Sequence, residues 1–79
     1  MLSILNFMSH TTIGNRIRDT RKKLDLTQAE LASLVGIARV SITSIETGRH
    51  IPTIETALKL SNALKIPVND LFWLKEGEK

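Results

Sequence analysis

The sequence predicts a small all-α domain of five short helices. Three observations carry that expectation. Apolar residues recur at spacings of three, four and seven, capping residues and glycines bracket those segments, and no run alternates strictly enough for a strand. With 79 residues the chain makes one domain, and a chain of this size buries only about 60% of its extended surface. It has no cysteine, so no disulfide reinforces it, and His10 and His50 alone do not make a zinc cage. A compact helical core, a second copy of the chain, or both must supply the stability.

Taken in order, residues 12–24 are expected to form the first helix. Thr11 or Thr12 caps it, and Ile13, Ile17 and Leu24 share one stripe. Asp25 and Leu26 break it. Thr27 opens the second helix, and Glu30 three residues on completes a capping box ahead of the stripe Leu31, Leu34 and Val35. Gly36 stands where a helix turns left-handed to end.

The stretch ARVSITSIETG comes next, and it is rich in poor helix formers. A strand would need alternation, which Ile45 breaks. On a helix, Ile42 and Ile45 lie about 60° apart, with Ala38 between them and Glu46 at the margin. A third helix from residue 38 or 39 to 47 is therefore expected, stopped by Gly48 and held by packing rather than propensity. Pro52 marks a turn. Thr53 then caps a fourth helix to about Leu64, expected to bury Ile54, Ala57, Leu58, Ser61 and Leu64. Pro67 suits the first turn of a fifth helix over 68–73, with Asp70 near its positive end and Leu71 and Phe72 inward. The expected organisation is an apolar extension at 1–11, the helical domain at 12–73 and a charged tail at 74–79. The second and third helices, joined by a tight glycine turn, outline a helix-turn-helix.

Charge placement says more than the net +3. Residues 1–50 carry seven basic and four acidic side chains, and residues 51–79 carry four of each. Arg16, Arg18, Arg21, Lys22 and Lys23 crowd one segment, as a solvated helix face or as a surface for an anion such as nucleic acid. No run nears the roughly 20 apolar residues of a membrane span. The opening MLSILNFM lacks a basic start and a small-residue cleavage site, so it does not read as a secretory signal, and Met8 is an alternative start. A chain without cysteine fits the cytoplasm. No phosphate loop, metal-spaced cluster or nucleophile–histidine pair is present, so neither an enzyme nor a cofactor is expected.

Arg21 falls on the apolar stripe of the first helix, where a buried arginine demands a partner. Glu46, at the margin of the third helix, is the expected one. The alternative is an arginine that snorkels outward alone.

The run from Ile13 to Phe72 resembles the Cro/repressor-type, or XRE, helix-turn-helix family. The matching features are Thr27-Gln28-Ala29-Glu30-Leu31-Ala32, Gly36 in the turn, Ile45-Glu46 with Gly48, Pro52, and Asp70-Leu71-Phe72. The resemblance implies a lambda-repressor-like fold, double-stranded DNA as partner and transcriptional control. It places Arg39, Val40, Thr43 and Ser44 against bases, and Gln28, Ser41, Thr47 and Arg49 against phosphates. It also implies the Arg21–Glu46 pair. Arg39 suits guanine O6 and N7, with phosphate or water as the alternative, and Val40 suits a thymine methyl or is simply exposed. Ala38 departs from the Ser or Thr cap frequent in the family, which leaves the start of the third helix open.

The resemblance further implies a homodimer reading a palindromic operator, with a short terminal strand at the interface. Leu71, Trp73 and Leu74 are the expected interface residues, against a Trp73 that folds onto its own domain. The rival reading is an antitoxin-like or controller protein whose main role is to bind a partner protein through MLSILNFM or the Trp73 region.

Overall fold

The computed structural model describes residues 12–75. The elements run β1 (Thr12–Asn15), α1 (Ile17–Lys23), α2 (Gln28–Val35), α3 (Arg39–Glu46), α4 (Ile54–Leu64), α5 (Val68–Leu71) and β2 (Phe72–Lys75). Five helices enclose one core of Ile17, Leu31, Ala32, Val35, Ile42, Ile45, Leu60, Leu64 and Leu71. Each fully buried Leu or Ile among them contributes about 1.5–3 kcal/mol relative to an exposed one.

The local punctuation acts as expected in the middle of the chain. Thr27 Oγ1 accepts from the Glu30 backbone N–H at 3.0 Å, and Glu30 Oε1 accepts from the Thr27 N–H at 2.8 Å. Gly36 ends α2 at φ 83°, where an L side chain would be strained. Helix α3 begins after Ala38 with no side-chain cap. It stands because Ile42 and Ile45 are buried, so packing overrides weak propensity. Thr53 caps α4 by accepting from the Thr56 N–H at 3.1 Å.

Both ends of the domain differ from expectation. Residues 12–15 form a strand rather than the first turns of a helix, and the N-cap position of α1 falls at Arg16. No side chain caps α1 from that position, but Asn15, one residue earlier, satisfies one free donor: its Oδ1 accepts from the Ile17 N–H at 3.1 Å. Leu24, placed on the buried stripe by spacing, lies past the helix end and is exposed. Helix α5 stops at Leu71, and Phe72 turns extended at φ −128° and ψ 146°. Strand β2 then pairs antiparallel with β1 of the same chain, with Ile13 opposite Leu74 and Gly14 opposite Trp73. The strand runs to Lys75, past the domain boundary expected after Trp73. The apolar extension at 1–11 lies outside the described residues.

Gly14 is required where it sits. A Cβ there would lie 2.9 Å from Trp73 Cζ2, inside the indole ring's own volume. The ring thus folds onto its own domain, with the Arg16 guanidinium 4.8 Å from its centroid.

Helix α4 is rotated relative to the expected face. Leu60 and Leu64, one turn apart, point into the core, whereas Ile54 is 79% and Leu58 49% exposed. Ala57 and Ser61 are half-buried at the edge between the two faces. Leu34 on α2 is likewise exposed, since Leu31, Ala32 and Val35 already fill the contact with the core.

Candidate nucleic-acid interface

Helix α3 is mounted on the domain by two apolar anchors and one ion pair. Ile42 and Ile45 face inward. At the C-terminal end, Arg21 Nε donates to Glu46 Oε2 at 2.7 Å and Arg21 Nη2 to Glu46 Oε1 at 3.3 Å. Arg21 Nη1 donates to the Leu26 carbonyl at 2.9 Å, so the buried guanidinium is well partnered. Asn15 adds a further tie: its Nδ2 donates to the Ile45 carbonyl at 3.0 Å, fastening β1 to the end of α3. These contacts fix the rotation of a helix whose composition would not keep it folded alone.

The opposite face of α3 looks outward. Arg39 and Thr47 are exposed, Val40 is 62% exposed, and Ser41, Thr43 and Ser44 are half-buried. Short side chains there let the backbone approach a surface closely, which suits a groove about 12 Å wide.

Gln28, the first residue of α2, spans the seam between α2 and α3. Its Nε2 donates to Glu46 Oε1 at 3.1 Å. Its Oε1 accepts from Thr43 Oγ1 at 3.1 Å and, weakly, from Arg39 Nη1 at 3.5 Å. A polar chain therefore runs from buried Arg21 through Glu46 and Gln28 to the outward residues Thr43 and Arg39.

The turn after α3 folds back on the helix. Gly48 takes φ 83°, and the Ser44 carbonyl accepts from the Arg49 N–H at 2.9 Å and the His50 N–H at 3.2 Å. Arg49 and His50 are thereby held beside Ser44. Thr47 Oγ1 donates to the Thr43 carbonyl at 3.0 Å, which folds the side chain along its own helix.

The basic cluster divides in two. Arg16 is committed away from the face: its Nε donates to the Asp70 carbonyl at 2.8 Å while its guanidinium covers Trp73. Arg21 is committed to Glu46. Arg18, Lys22 and Lys23 are exposed. Leu71, expected between subunits, is fully buried in the chain's own core and has no surface to offer a partner. Trp73 and Leu74 are exposed.

Residues 17–71 match the helix-turn-helix family, more than half of the chain. This chain belongs to the XRE-type helix-turn-helix family. Its relatives are transcriptional regulators and phage repressors. One is an uncharacterised helix-turn-helix transcriptional regulator, YgzD of Bacillus subtilis, 32% identical over 62 residues, which span 78% of this chain and 94% of that one. Among solved structures, the P22 c2 repressor in complex with a synthetic operator is 41% identical, covers 68% of this chain and 82% of its own, and superposes with a TM-score of 0.67. The restriction-modification controller protein C.AhdI from Aeromonas hydrophila is 31% identical with the same coverage and a TM-score of 0.65. The family is one of DNA-binding transcriptional regulators, and α2 and α3 are the helix-turn-helix of this member.

Two residues of the helix-turn-helix mounting escaped sequence reasoning. Asn15 was absorbed into an expected helix, although an Asn two residues ahead of a buried Ile is itself a capping signal. Gln28 was expected against a phosphate, and nothing local shows that its amide also meets Glu46.

Among the described residues no helix is long and apolar enough to cross a membrane.

Proposed function

We propose that this regulator is a homodimeric repressor that inserts α3 into the major groove of a palindromic double-stranded operator. The observation that carries the reading is the outward face of α3: Arg39, Val40, Thr43 and Ser44 stand on a helix clamped from behind by the Arg21–Glu46 pair. Arg39, at the exposed N-terminal end, reaches guanine O6 and N7, and Val40 meets a thymine methyl. Gln28, Ser41 and Arg49 flank that face and hold phosphates. Thr47 flanks it too, with its hydroxyl proton held by the Thr43 and Ser44 carbonyls until a phosphate oxygen replaces them. Gln28 has one amide hydrogen beyond the one given to Glu46, and that hydrogen is available to a phosphate oxygen. The P22 c2 repressor, 41% identical, was crystallised on operator DNA, which supports the same mode of docking.

Two copies related by a two-fold axis place their α3 helices on half-sites about 34 Å apart or a multiple of that. Trp73 and Leu74 are the surface residues at the strand end available for that contact. A second reading, a role centred on a partner protein, draws on the exposed apolar residues Ile51, Ile54 and Leu58.

The test is binding to genomic duplex fragments across a salt series, with Arg39→Ala alongside. The logarithm of affinity falls with the logarithm of salt at a slope of about 0.9 per phosphate contact. Arg39→Ala keeps most of that slope and loses discrimination among fragments. Binding that ignores salt, or equal discrimination by the variant, contradicts the assignment. Sedimentation of the free protein at micromolar concentration tests the dimer.

A further inference from the structure

We infer that Gln28 sets the hydrogen-bond polarity of Thr43, so that Thr43 reads an exocyclic amino group on a base. The inference rests on the operator-reading role proposed above and adds the kind of base edge selected. It begins at the ion pair. Glu46 is a carboxylate held by Arg21, and a carboxylate only accepts hydrogen bonds. The Gln28 amide can therefore meet it only with its NH2 end, as the 3.1 Å contact from Nε2 to Oε1 shows. The carbonyl end of Gln28 is thereby turned toward α3.

Thr43 lies against that carbonyl. Its hydroxyl has a single proton, and the two oxygens within reach inside the protein are acceptors only: Gln28 Oε1 at 3.1 Å and the Arg39 carbonyl at 3.3 Å. The proton is drawn inward, and the outward side of Thr43 Oγ1 presents a lone pair. In the major groove a lone pair meets the amino hydrogens of adenine N6 or cytosine N4 favourably, and guanine O6 or thymine O4 unfavourably. A threonine taken by type alone would serve either kind of edge. Here the buried pair, relayed through Gln28, removes the ambiguity. Gln28 is in this sense a positioning residue: it acts on the base through Thr43.

Binding-site selection from a randomised duplex library tests this, run with the wild type, Thr43→Val, Thr43→Ser and Gln28→Met. The wild-type motif is expected to contain one position where adenine is preferred over guanine, or cytosine over thymine, by about tenfold. Thr43→Val, which keeps the shape and lacks the hydroxyl, flattens that position alone. Thr43→Ser keeps the preference. Gln28→Met narrows it, because the hydroxyl loses its side-chain acceptor and can turn outward. Thermal unfolding of each variant verifies folding. A measurement independent of the variants replaces the selected base by an analogue lacking the amino group: wild-type affinity falls, and Thr43→Val affinity does not.

A wild-type preference for guanine or thymine at the Thr43-dependent position overturns the assignment. So does a Thr43→Val profile unchanged at every position, an equal preference in folded Gln28→Met, or no loss of wild-type affinity with the analogue. In each of those cases the operator-reading role itself survives. A wild-type chain that enriches no sequence refutes that role and this assignment together.

Discussion

Replacing Glu46 by alanine leaves the Arg21 guanidinium under the surface with its carboxylate partner gone. The side chains of Arg21 and Glu46 are only 10% and 4% exposed, so water does not readily take over. Two of the guanidinium's three protein hydrogen bonds vanish, and the bond to the Leu26 carbonyl remains. Breaking a buried pair by removing one partner costs about 3–5 kcal/mol. The surviving bond argues for the lower end, about 3 kcal/mol. For a domain of this size that lowers the melting temperature by about 12–24 °C.

The companion variant removes both charges, Arg21→Met with Glu46→Leu. Exchanging a buried pair for packed apolar groups is often neutral or stabilising by about 1–4 kcal/mol. The double variant should therefore be far more stable than Glu46→Ala. Urea unfolding followed by helical circular dichroism measures all the variants on one scale. The reasoning fails if Glu46→Ala lies within about 0.5 kcal/mol of the wild type, the range of ordinary surface changes. It fails equally if the double variant is destabilised as much as its single parents combined. Because Ile42 and Ile45 still anchor α3, the double variant should keep its helix content while the helix loses a fixed rotation. Its DNA affinity should then fall although its stability does not.

Other expectations follow from single contacts. Gly14→Ala drives a methyl group into the Trp73 ring, so the β1–β2 pairing must open. Trp73 is the only tryptophan, and its emission should move to longer wavelength, whereas unchanged emission contradicts the close approach. Ala38→Ser supplies the missing cap of α3, since Ala38 already has the extended backbone of a capping residue at φ −73° and ψ 149°. A gain of about 1 kcal/mol in denaturant titration is expected. At the start of α4, Lys59 Nζ lies 2.9 Å from Glu55 Oε2. That hydrogen bond and the ammonium charge hold the Glu55 carboxyl below its ordinary value of 4.5. A lowered folded value means that this contribution is present above about pH 4.5 and is lost as pH falls below it. Lys59→Ala should remove that small slope from the acid limb of the stability profile, and an identical acid limb would contradict it.

Helix α2 could be read almost whole from the chain, since its signals are local. Thr27 and Glu30 are three residues apart, and Gly36 needs only its own backbone to take a left-handed turn. The Arg21–Glu46 pair was also accessible, because an arginine on an apolar stripe and a glutamate on an apolar margin each imply a buried partner. Helix α3 was harder, and it was found only by the angle between Ile42 and Ile45. A terminal strand was implied by the resemblance, but β1 and its pairing with β2 inside one chain were missed for the same reason that the helices were found. Thr12 to Asn15 look like a helix start until Phe72 to Lys75, near the other end of the chain, are laid beside them.

The chain by itself determined that five helices form, where the middle ones begin and stop, and which two charged residues must meet, because caps, glycine turns and apolar periodicity act over a few residues. Tertiary structure alone decided the rest. It rotated α4 so that Leu60 rather than Leu58 enters the core, sent Arg16 to Trp73, and turned the Gln28 amide toward Glu46. Each of those outcomes depends on a partner distant in sequence. Periodicity can name the face of a helix, but only packing chooses what that face will touch.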